Sequence, residues 1–317
     1  MSQSDSKHSA LVFSTIHSSQ AALSAVAASW CRSALHHGLD PARSPRGERL
    51  DEAELKHRLA ANGDLLAVAE PVLDRLHAQV GLAGCCVIMA DQDGVILQAR
   101  KSAGDVPFFE STGLVSGSNW SEASEGTNGI GTCLVEARPV TIQRHEHFSA
   151  RNIEVSCMDA PIFDPAGRLV AALDVSSARA DHGDGMASLI GALVQDAARH
   201  IERDFFCRHY SGRRIVLAEG ARGQALLAVD RDGLVVGATR AARLLYRLGS
   251  EAELSPRPLD DLIGGGAASY EASERAALRQ ALARSGGNVA AAAKLLGIGR
   301  ATFYRRMERA GLDLSQE

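Results

Sequence analysis

The hydrophobic positions of this chain alternate between two spacings. From the start of the chain to Val80 they recur at helical intervals, with one helix expected from Leu50 to Leu59 and another from Leu65 to Val80. The segment Gly38-Leu-Asp-Pro-Ala-Arg-Ser-Pro-Arg-Gly47 breaks the helical run before them, since two prolines and two glycines stop a helix. At Cys85 the period shortens. Cys85-Cys-Val-Ile-Met-Ala is a short apolar strand, Asp91-Gln-Asp-Gly94 a hairpin turn, and Val95-Ile-Leu-Gln-Ala-Arg the partner strand. The device recurs as Ser156 to Phe163, Asp164-Pro-Ala-Gly167 and Arg168 to Val175, and again in Ala225 to Ala238 around Asp230-Arg-Asp-Gly233. Between the first two hairpins the pattern predicts a helix over Gly129 to Ala137 and a strand over Pro139 to Gln143. An apolar stripe from Met186 to Phe206 predicts a long helix that packs on the N-terminal helices or on a second subunit, and Thr239 to Leu248 predicts a short one. This order implies an α+β fold with an antiparallel sheet and flanking helices.

After Pro256, Pro258 and Gly264-Gly-Gly-Ala-Ala-Ser269, which read as a hinge, helical spacing returns. Asn288-Val-Ala-Ala-Ala-Ala-Lys-Leu-Leu-Gly297-Ile-Gly-Arg300-Ala-Thr-Phe-Tyr-Arg-Arg-Met307 reads as two short helices about a tight turn. Asn288 caps the first, the alanines allow close helix approach, and Gly297 supplies the positive φ of the turn. In the second helix Phe303 and Met307 are expected to face inward with Ile298 and Leu296, leaving Arg300, Thr302, Arg305, Arg306 and Arg309 outside. A helix of this kind suits duplex DNA, although a solvated helical hairpin with a charged face would share its periodicity.

Charge sharpens that choice. From Glu271 to Glu317 there are eight Lys/Arg and five Asp/Glu, net +3, against −7 on everything before Glu271 and −4 overall, so the positive field is local. With 317 residues, 45% of them hydrophobic, the chain is long enough for two or three small domains. No apolar run has the length of a membrane span and the segment from Met1 to Gln20 lacks a signal-peptide pattern, so a cytoplasmic protein is expected. The six cysteines, Cys31, Cys85, Cys86, Cys133, Cys157 and Cys207, show no C-x-x-C spacing, and reduced thiols are expected. Aromatics make up only 4%, which argues against a base-stacking surface for single strands.

Ala281 to Arg306, with its Gly-Asn step, Ala-rich helix, Leu-Gly-Ile and Arg-x-Thr-Phe-Tyr-Arg, resembles the Fis-type helix-turn-helix. The resemblance implies that the last helix enters the major groove and that the helix before Gly286 helps form a dimer. It makes Arg300, Thr302, Tyr304, Arg305 and Arg306 the candidate DNA-contacting residues, with Arg309 beside them on the same basic surface. Ser29-Trp-Cys-Arg-Ser, Gly38-Leu-Asp-Pro41, Trp120-Ser-Glu-Ala-Ser-Glu-Gly-Thr-Asn-Gly-Ile-Gly-Thr132, Arg138-Pro-Val, Glu146-His-Phe148 and Ala160 to Gly167 together resemble the acetoin-catabolism-regulator type of bacterial transcription activator. That likeness runs to about residue 210 and implies a GAF-type sensor for a small molecule such as an alcohol, ketone, diol or aromatic compound. Ala225 to Leu248 resembles the opening of a PAS domain but is too short for a whole one.

In the sensor, Glu125-Gly-Thr-Asn-Gly-Ile-Gly-Thr132 is a Gly-rich approach to a helix whose free N–H groups and hydroxyls suit a carbonyl or hydroxyl oxygen, although glycine there also serves backbone geometry. The candidate pocket residues are Trp120, Thr127, Asn128, Ile130, Thr132, Cys133, Cys157 and Asp159. Trp120 reads either as a pocket wall or, with the weight of base rates, as a core aromatic. His145, His147, Cys133, Cys157 and Asp159 are good ligand types, but their spacing is that of no known metal site, so neither metal nor cofactor is expected. Cys85 and Cys86 should point to opposite faces of a strand, one buried and the other open to pocket or solvent.

Activators of the resembling type carry an ATPase domain between sensor and helix-turn-helix for remodelling the sigma-54 polymerase. Here there is no G-x-x-x-x-G-K-[ST] phosphate loop and no Gly-Ala-Phe-Thr-Gly-Ala loop. The expected organisation is an N-terminal helical region (1–80), a GAF-type sensor (81–210), a truncated PAS-like connector (211–263), a hinge (264–270) and an all-α DNA-binding tail (271–317). A non-enzymatic, homodimeric, nucleoid-associated regulator follows, with double-stranded DNA, a small effector and RNA polymerase as partners. The alternatives are a GAF-fold redox enzyme or sensor using Cys133 or Cys157, and an architectural DNA-binding protein.

Overall fold

The first two hairpins are each tied by their own aspartate. In the computed structural model, which describes residues 3–18, 24–42, 49–218, 224–249, 254–263 and 270–312, the Asp91 carboxylate accepts the N–H groups of Asp93 and Val95 at 3.0 Å, and Asp164 accepts those of Ala166 and Arg168 at 2.9 Å. The glycine closing each turn takes a positive φ: +83° at Gly94, +82° at Gly167 and +81° at Gly233. Only glycine adopts this backbone without strain, so turn chemistry fixes the strand ends locally.

The chain forms two compact units, Met1–Arg231 with Val236–Ser255, and Asp232–Val235 with Pro256–Glu317. The first unit opens with helices α1 (Gln3–Ile16), α2 (Ala25–Cys31, continued by a wider turn over Arg32–His36), α3 (Glu52–Ala61) and α4 (Gly63–Val80). Then come β1 (Cys85–Asp91), β2 (Ile96–Arg100), α5 (Val106–Ser111), α6 (Glu122–Glu125), α7 (Gly129–Glu136), β3 (Val140–Ile142), β4 (Ser156–Phe163), β5 (Leu169–Ser177) and α8 (Asp184–His209). The first five strands form one antiparallel sheet in the order β2-β1-β5-β4-β3.

Both faces of this sheet are covered. Cys85, Val87, Met89, Met158, Ala160 and Leu173 pack under α4 and α8, whereas Cys86, Ile88, Ile96, Cys157 and Ala172 pack with Phe109, Trp120, Ile130 and Cys133 beneath α5 and α7. The strands are therefore largely apolar on both faces, with Asp159, Asp174 and Ser176 as buried polar exceptions, and Cys85 and Cys86 do point to opposite faces. The expectation that one of them is open is corrected: both are fully buried, because helices cover the second face too. The 26-residue α8 packs within the chain, against α4 and the sheet, while Met186 and Leu189 on its outer side stay exposed. Val12, Ile16 and Trp30 of α1 and α2 form a separate small core with Phe148.

Further along lie β6 (Arg214–Leu217), β7 (Leu226–Val229), β8 (Leu234–Ala238) and α9 (Arg240–Tyr246). Thr239 caps α9 by accepting the Ala242 N–H. In the second unit β9 (Arg257–Pro258) pairs with Val235 and Leu234, an edge position that tolerates proline, and leads into α10 (Leu259–Ile263). Pro258 therefore sits in a strand instead of a hinge, and the Gly264–Ser269 hinge lies outside the described residues. Helices α11 (Tyr270–Arg284), α12 (Val289–Leu295) and α13 (Arg300–Arg309) complete the unit.

Candidate functional site

The Gly-rich loop leads into α7 as the spacing predicts, and Asn128 is its cap. Its Oδ1 accepts the Gly131 N–H at 2.9 Å, while its Nδ2 donates to the carbonyls of Trp120 and Gly126 at 2.9 and 2.8 Å. The Asn128 side chain is thereby committed to backbone. The glycines serve close approach: a Cβ at Gly129 would overlap Asp159 Oδ2 and Cys157 Cβ, and one at Gly131 would press on the backbone of Trp120 and Glu122. The first turn of α7 thus lies directly on β4.

The eight candidate pocket residues are all buried, and the seven besides Asn128 fall in three neighbouring groups. Trp120, Ile130 and Cys133 belong to the apolar core under α7, with the Trp120 indole donating to the Gly113 carbonyl at 3.0 Å. Thr127 and Thr132 instead face α2: their hydroxyls lie 2.7 and 3.4 Å from Ser29 Oγ, which donates to Glu122 Oε1 at 2.6 Å. Arg32 closes this group with two hydrogen bonds of 2.9 Å to the Glu122 carboxylate. Burial alone would raise the Glu122 carboxyl, but the bonds from Arg32, Ser29 and Thr132 hold it below its ordinary value.

Cys157 and Asp159 form the third group on β4. Asp159 stands opposite Asp174 of β5, and both carboxyls are buried. Burial, followed by the neighbouring charge, pushes Asp159 well above the carboxylate range, and burial pushes Asp174 up to about 7. Like charges facing each other in a dry site cannot both ionise, so Asp159 holds a proton, and both of its oxygens, like Asp174 Oδ1, are buried without a hydrogen-bond partner. Ser176 also donates to Asp174, at 2.7 Å, and Cys157 Sγ lies 3.3 Å from Ser176 Oγ and 3.4 Å from His147 Nε2. His147 is fully buried and pushed down to about 4 by desolvation, so it is neutral. With Nδ1 donating to the Arg144 carbonyl, Nε2 accepts from the thiol.

This chemistry bears on the redox alternative. Burial raises the thiols of Cys133 and Cys157 well above their ordinary value, whereas a redox nucleophile requires a lowered one. All six cysteines are free. Among the described residues no group of three or more His, Cys, Asp and Glu side chains is arranged to hold a metal ion. His145 is exposed, on a turn spanning Arg144–Glu146. Sequence reasoning left Ser29, Arg32, Glu122, Asp174 and Ser176 out of the site. Asp174 did carry a signal, being a carboxylate inside the apolar strand Leu169-Val-Ala-Ala-Leu-Asp-Val175.

In the second unit, Asn288 accepts the N–H groups of Ala290 and Ala291 and caps α12, and Gly297 turns the chain with φ +65°. Phe303 and Met307 are buried against Leu278, Ala281, Val289, Ala292 and Ala293, with Ile298 packed at the margin. Leu296 departs from expectation: it ends α12 and is 37% exposed, because Leu278 and Leu282 from α11 help fill the core in its place. The six basic and polar candidates divide into two stripes of α13. Arg300, Tyr304 and Arg305 face outward, with the Arg300 guanidinium 5.7 Å from the Tyr304 ring. Arg306 and Arg309, on the other stripe with the half-buried Thr302, are turned toward α11, where Glu274 pairs with Arg306 at 3.4 Å and with Arg309 at 2.6 Å.

Comparison with known proteins agrees with this geometry. Residues 64–202 match the GAF domain, and residues 269–309 match the bacterial regulatory protein, Fis family. The chain is 31% identical over 242 residues to the acetoin catabolism regulatory protein of Cupriavidus necator, covering 74% of this chain and 36% of that protein. It is 29% identical over 152 residues to the acetoin dehydrogenase operon transcriptional activator AcoR of Bacillus subtilis, covering 48% and 25%. The match thus spans about a third of the first relative's length and a quarter of the second's. The crystal structure of the E. coli DhaR(N)-DhaL complex contains a similar fold, with a TM-score of 0.52 at 14% identity over 75% of this chain and 80% of that one. No helix among the described residues is long and apolar enough to cross a membrane. The chain belongs to the proteins that join a GAF domain to a Fis-type helix-turn-helix, and it is a relative of the acetoin catabolism regulators.

Proposed function

We propose that this chain is a ligand-responsive transcription regulator, a cytoplasmic, nucleoid-associated homodimer whose helix-turn-helix binds specific duplex DNA and whose GAF domain senses a small metabolite. The observation that carries this reading is the union, in one chain, of a GAF domain with a packed helix-turn-helix whose Arg300, Tyr304 and Arg305 stand outward on α13. An outward arginine on such a helix suits base edges or phosphates in the major groove. The effector site is the buried region around the first turn of α7, with Cys157 and Asp159 on β4, Thr127 and Thr132 toward α2, Trp120, Ile130 and Cys133 as its apolar lining, and Asn128 holding the loop. The strands and helix from residue 211 to 263 act as a shortened PAS-like connector.

Between the GAF match, which ends at residue 202, and the Fis-type match, which begins at residue 269, the chain is too short for an ATPase domain at that place. Regulation therefore runs by ligand-linked DNA affinity or by contact with RNA polymerase, without ATPase-driven sigma-54 activation. A coupling of about 1–3 kcal/mol between effector and operator is enough. The test is binding of the purified protein to DNA upstream of its own gene, against a random duplex, at two salt concentrations. A footprinted near-palindrome bound tightly supports the reading. Weak, sequence-blind binding that collapses with salt overturns it.

A further inference from the structure

A cavity of 280 Å³ opens beside the edge of the GAF sheet, where the end of β4, α8 and α9 meet the segment just after α7, and its lining shares none of the eight candidate pocket residues. Its size is near the lower end of the roughly 300–1,000 Å³ of small-molecule sites. One wall is apolar, from Pro161 and Phe163 of β4 and the exposed Leu244 of α9. Four arginines line it: Arg138 just beyond α7, Arg199 and Arg203 on α8, and Arg240 at the start of α9.

These cations are assembled from separate elements, and they are not spent. Arg138, Arg199 and Arg203 each form one acidic pairing with a residue outside the lining, Glu136, Asp196 and Asp204 respectively, and a guanidinium has five donors. The Arg240 guanidinium lies 4.3 Å from the centre of the Phe163 ring, which orients it and marks a surface suited to a flat apolar group. The acid on the lining is Glu202, whose carboxylate accepts the Phe163 N–H at 2.9 Å. Burial raises that carboxyl to about 7, so it is partly neutral and leaves the lining positive. Gln224, also on the lining, has a buried side-chain oxygen without a hydrogen-bond partner, an acceptor that lacks a donor.

We infer that this cavity is a second ligand site, separate from the effector site under α7, for a small organic carboxylate with an apolar or aromatic body and a hydroxyl donor. The carboxylate meets Arg199 and Arg240, the body lies against Phe163 and Leu244, and the hydroxyl satisfies Gln224. Because the lining joins the GAF sheet to α9, an occupant bridges the sensor and the connector that follows it.

The experiment is calorimetric titration of the full chain with 4-hydroxybenzoate as probe, with phenol as the uncharged analogue and inorganic phosphate as the charge without an apolar body. Arg199→Gln and Arg240→Gln are the variants, and their circular dichroism checks the fold. The expected result is saturable one-to-one binding, at least tenfold tighter than phenol or phosphate and at least tenfold weakened in each variant. No binding of 4-hydroxybenzoate, equal binding of phenol, or unchanged affinity in correctly folded variants would overturn the inference.

Discussion

Asp159 and Asp174 stand opposite each other on β4 and β5, with both carboxyls buried beneath the first turn of α7. Neither strand exposes its side chains to water at this point, so the pair keeps a proton at neutral pH. Two carboxyls on adjacent strands thus behave as one titrating unit.

The pair makes stability fall as pH rises. Its folded-state affinity for protons exceeds that of an unfolded aspartate, so between about pH 4 and pH 7 the native state holds protons that the unfolded chain has lost. The slope is about 1.4 kcal/mol per pH unit for each proton so held. Asp174→Asn removes part of this dependence. Urea unfolding should show it gaining on wild type at pH 8 relative to pH 5, and a variant that tracks wild type across that range would refute the assignment.

Arg32 is the cation that makes a buried Glu122 tolerable. Arg32→Ala leaves that carboxylate unpaired and should cost about 2–3 kcal/mol, toward the low end for a broken buried pair because Arg32 keeps some contact with water. Adding Glu122→Gln should recover part of the loss. A double variant as unstable as the single one would show that packing of the Arg32 stem, and not charge, is what matters.

Gly129→Ala places a methyl group against Asp159 and Cys157. The first turn of α7 must then lift from the sheet, at a cost of about 1–3 kcal/mol. Thermal unfolding should register that loss, and an unchanged midpoint would mean that α7 sits less tightly than described.

Glu274 holds Arg306 and Arg309 on the flank of α13. Glu274→Gln releases both toward phosphate, so nonspecific DNA affinity should rise and the slope of log affinity against log salt should steepen by about 1–2. Arg300→Ala should instead relax sequence discrimination by about 1–3 kcal/mol if that side chain reads a base. A Glu274 variant with an unchanged salt slope would place Arg306 and Arg309 away from the phosphates.

What was legible in the sequence is local. The Asp-x-x-Gly turns contain the carboxylate and the glycine that close each hairpin, so Asp91 with Gly94 and Asp164 with Gly167 announce their structure within a single turn. The helix-turn-helix is equally self-contained: the Asn288 cap, the Gly297 turn and the Phe303/Met307 stripe all fall in the one stretch from Asn288 to Met307. Short-range sterics and hydrogen bonds decide such features wherever the segment sits.

The sequence by itself therefore determined the three hairpins, the main helices, the GAF and Fis-type domains and the basic face of α13, but not α5, β6 or β9. Only the tertiary structure decided which charges meet. Arg32 reaches Glu122 across 90 positions, and Ser29 reaches Thr127 across 98. Sheet register sets Asp159 against Asp174, and helix packing turns Arg306 toward Glu274 while leaving Arg305 in water. Those partners are chosen by how desolvated surfaces fit together, and the strength of each charge depends on the water that packing removes. Neither quantity has a signature in the local pattern of residues.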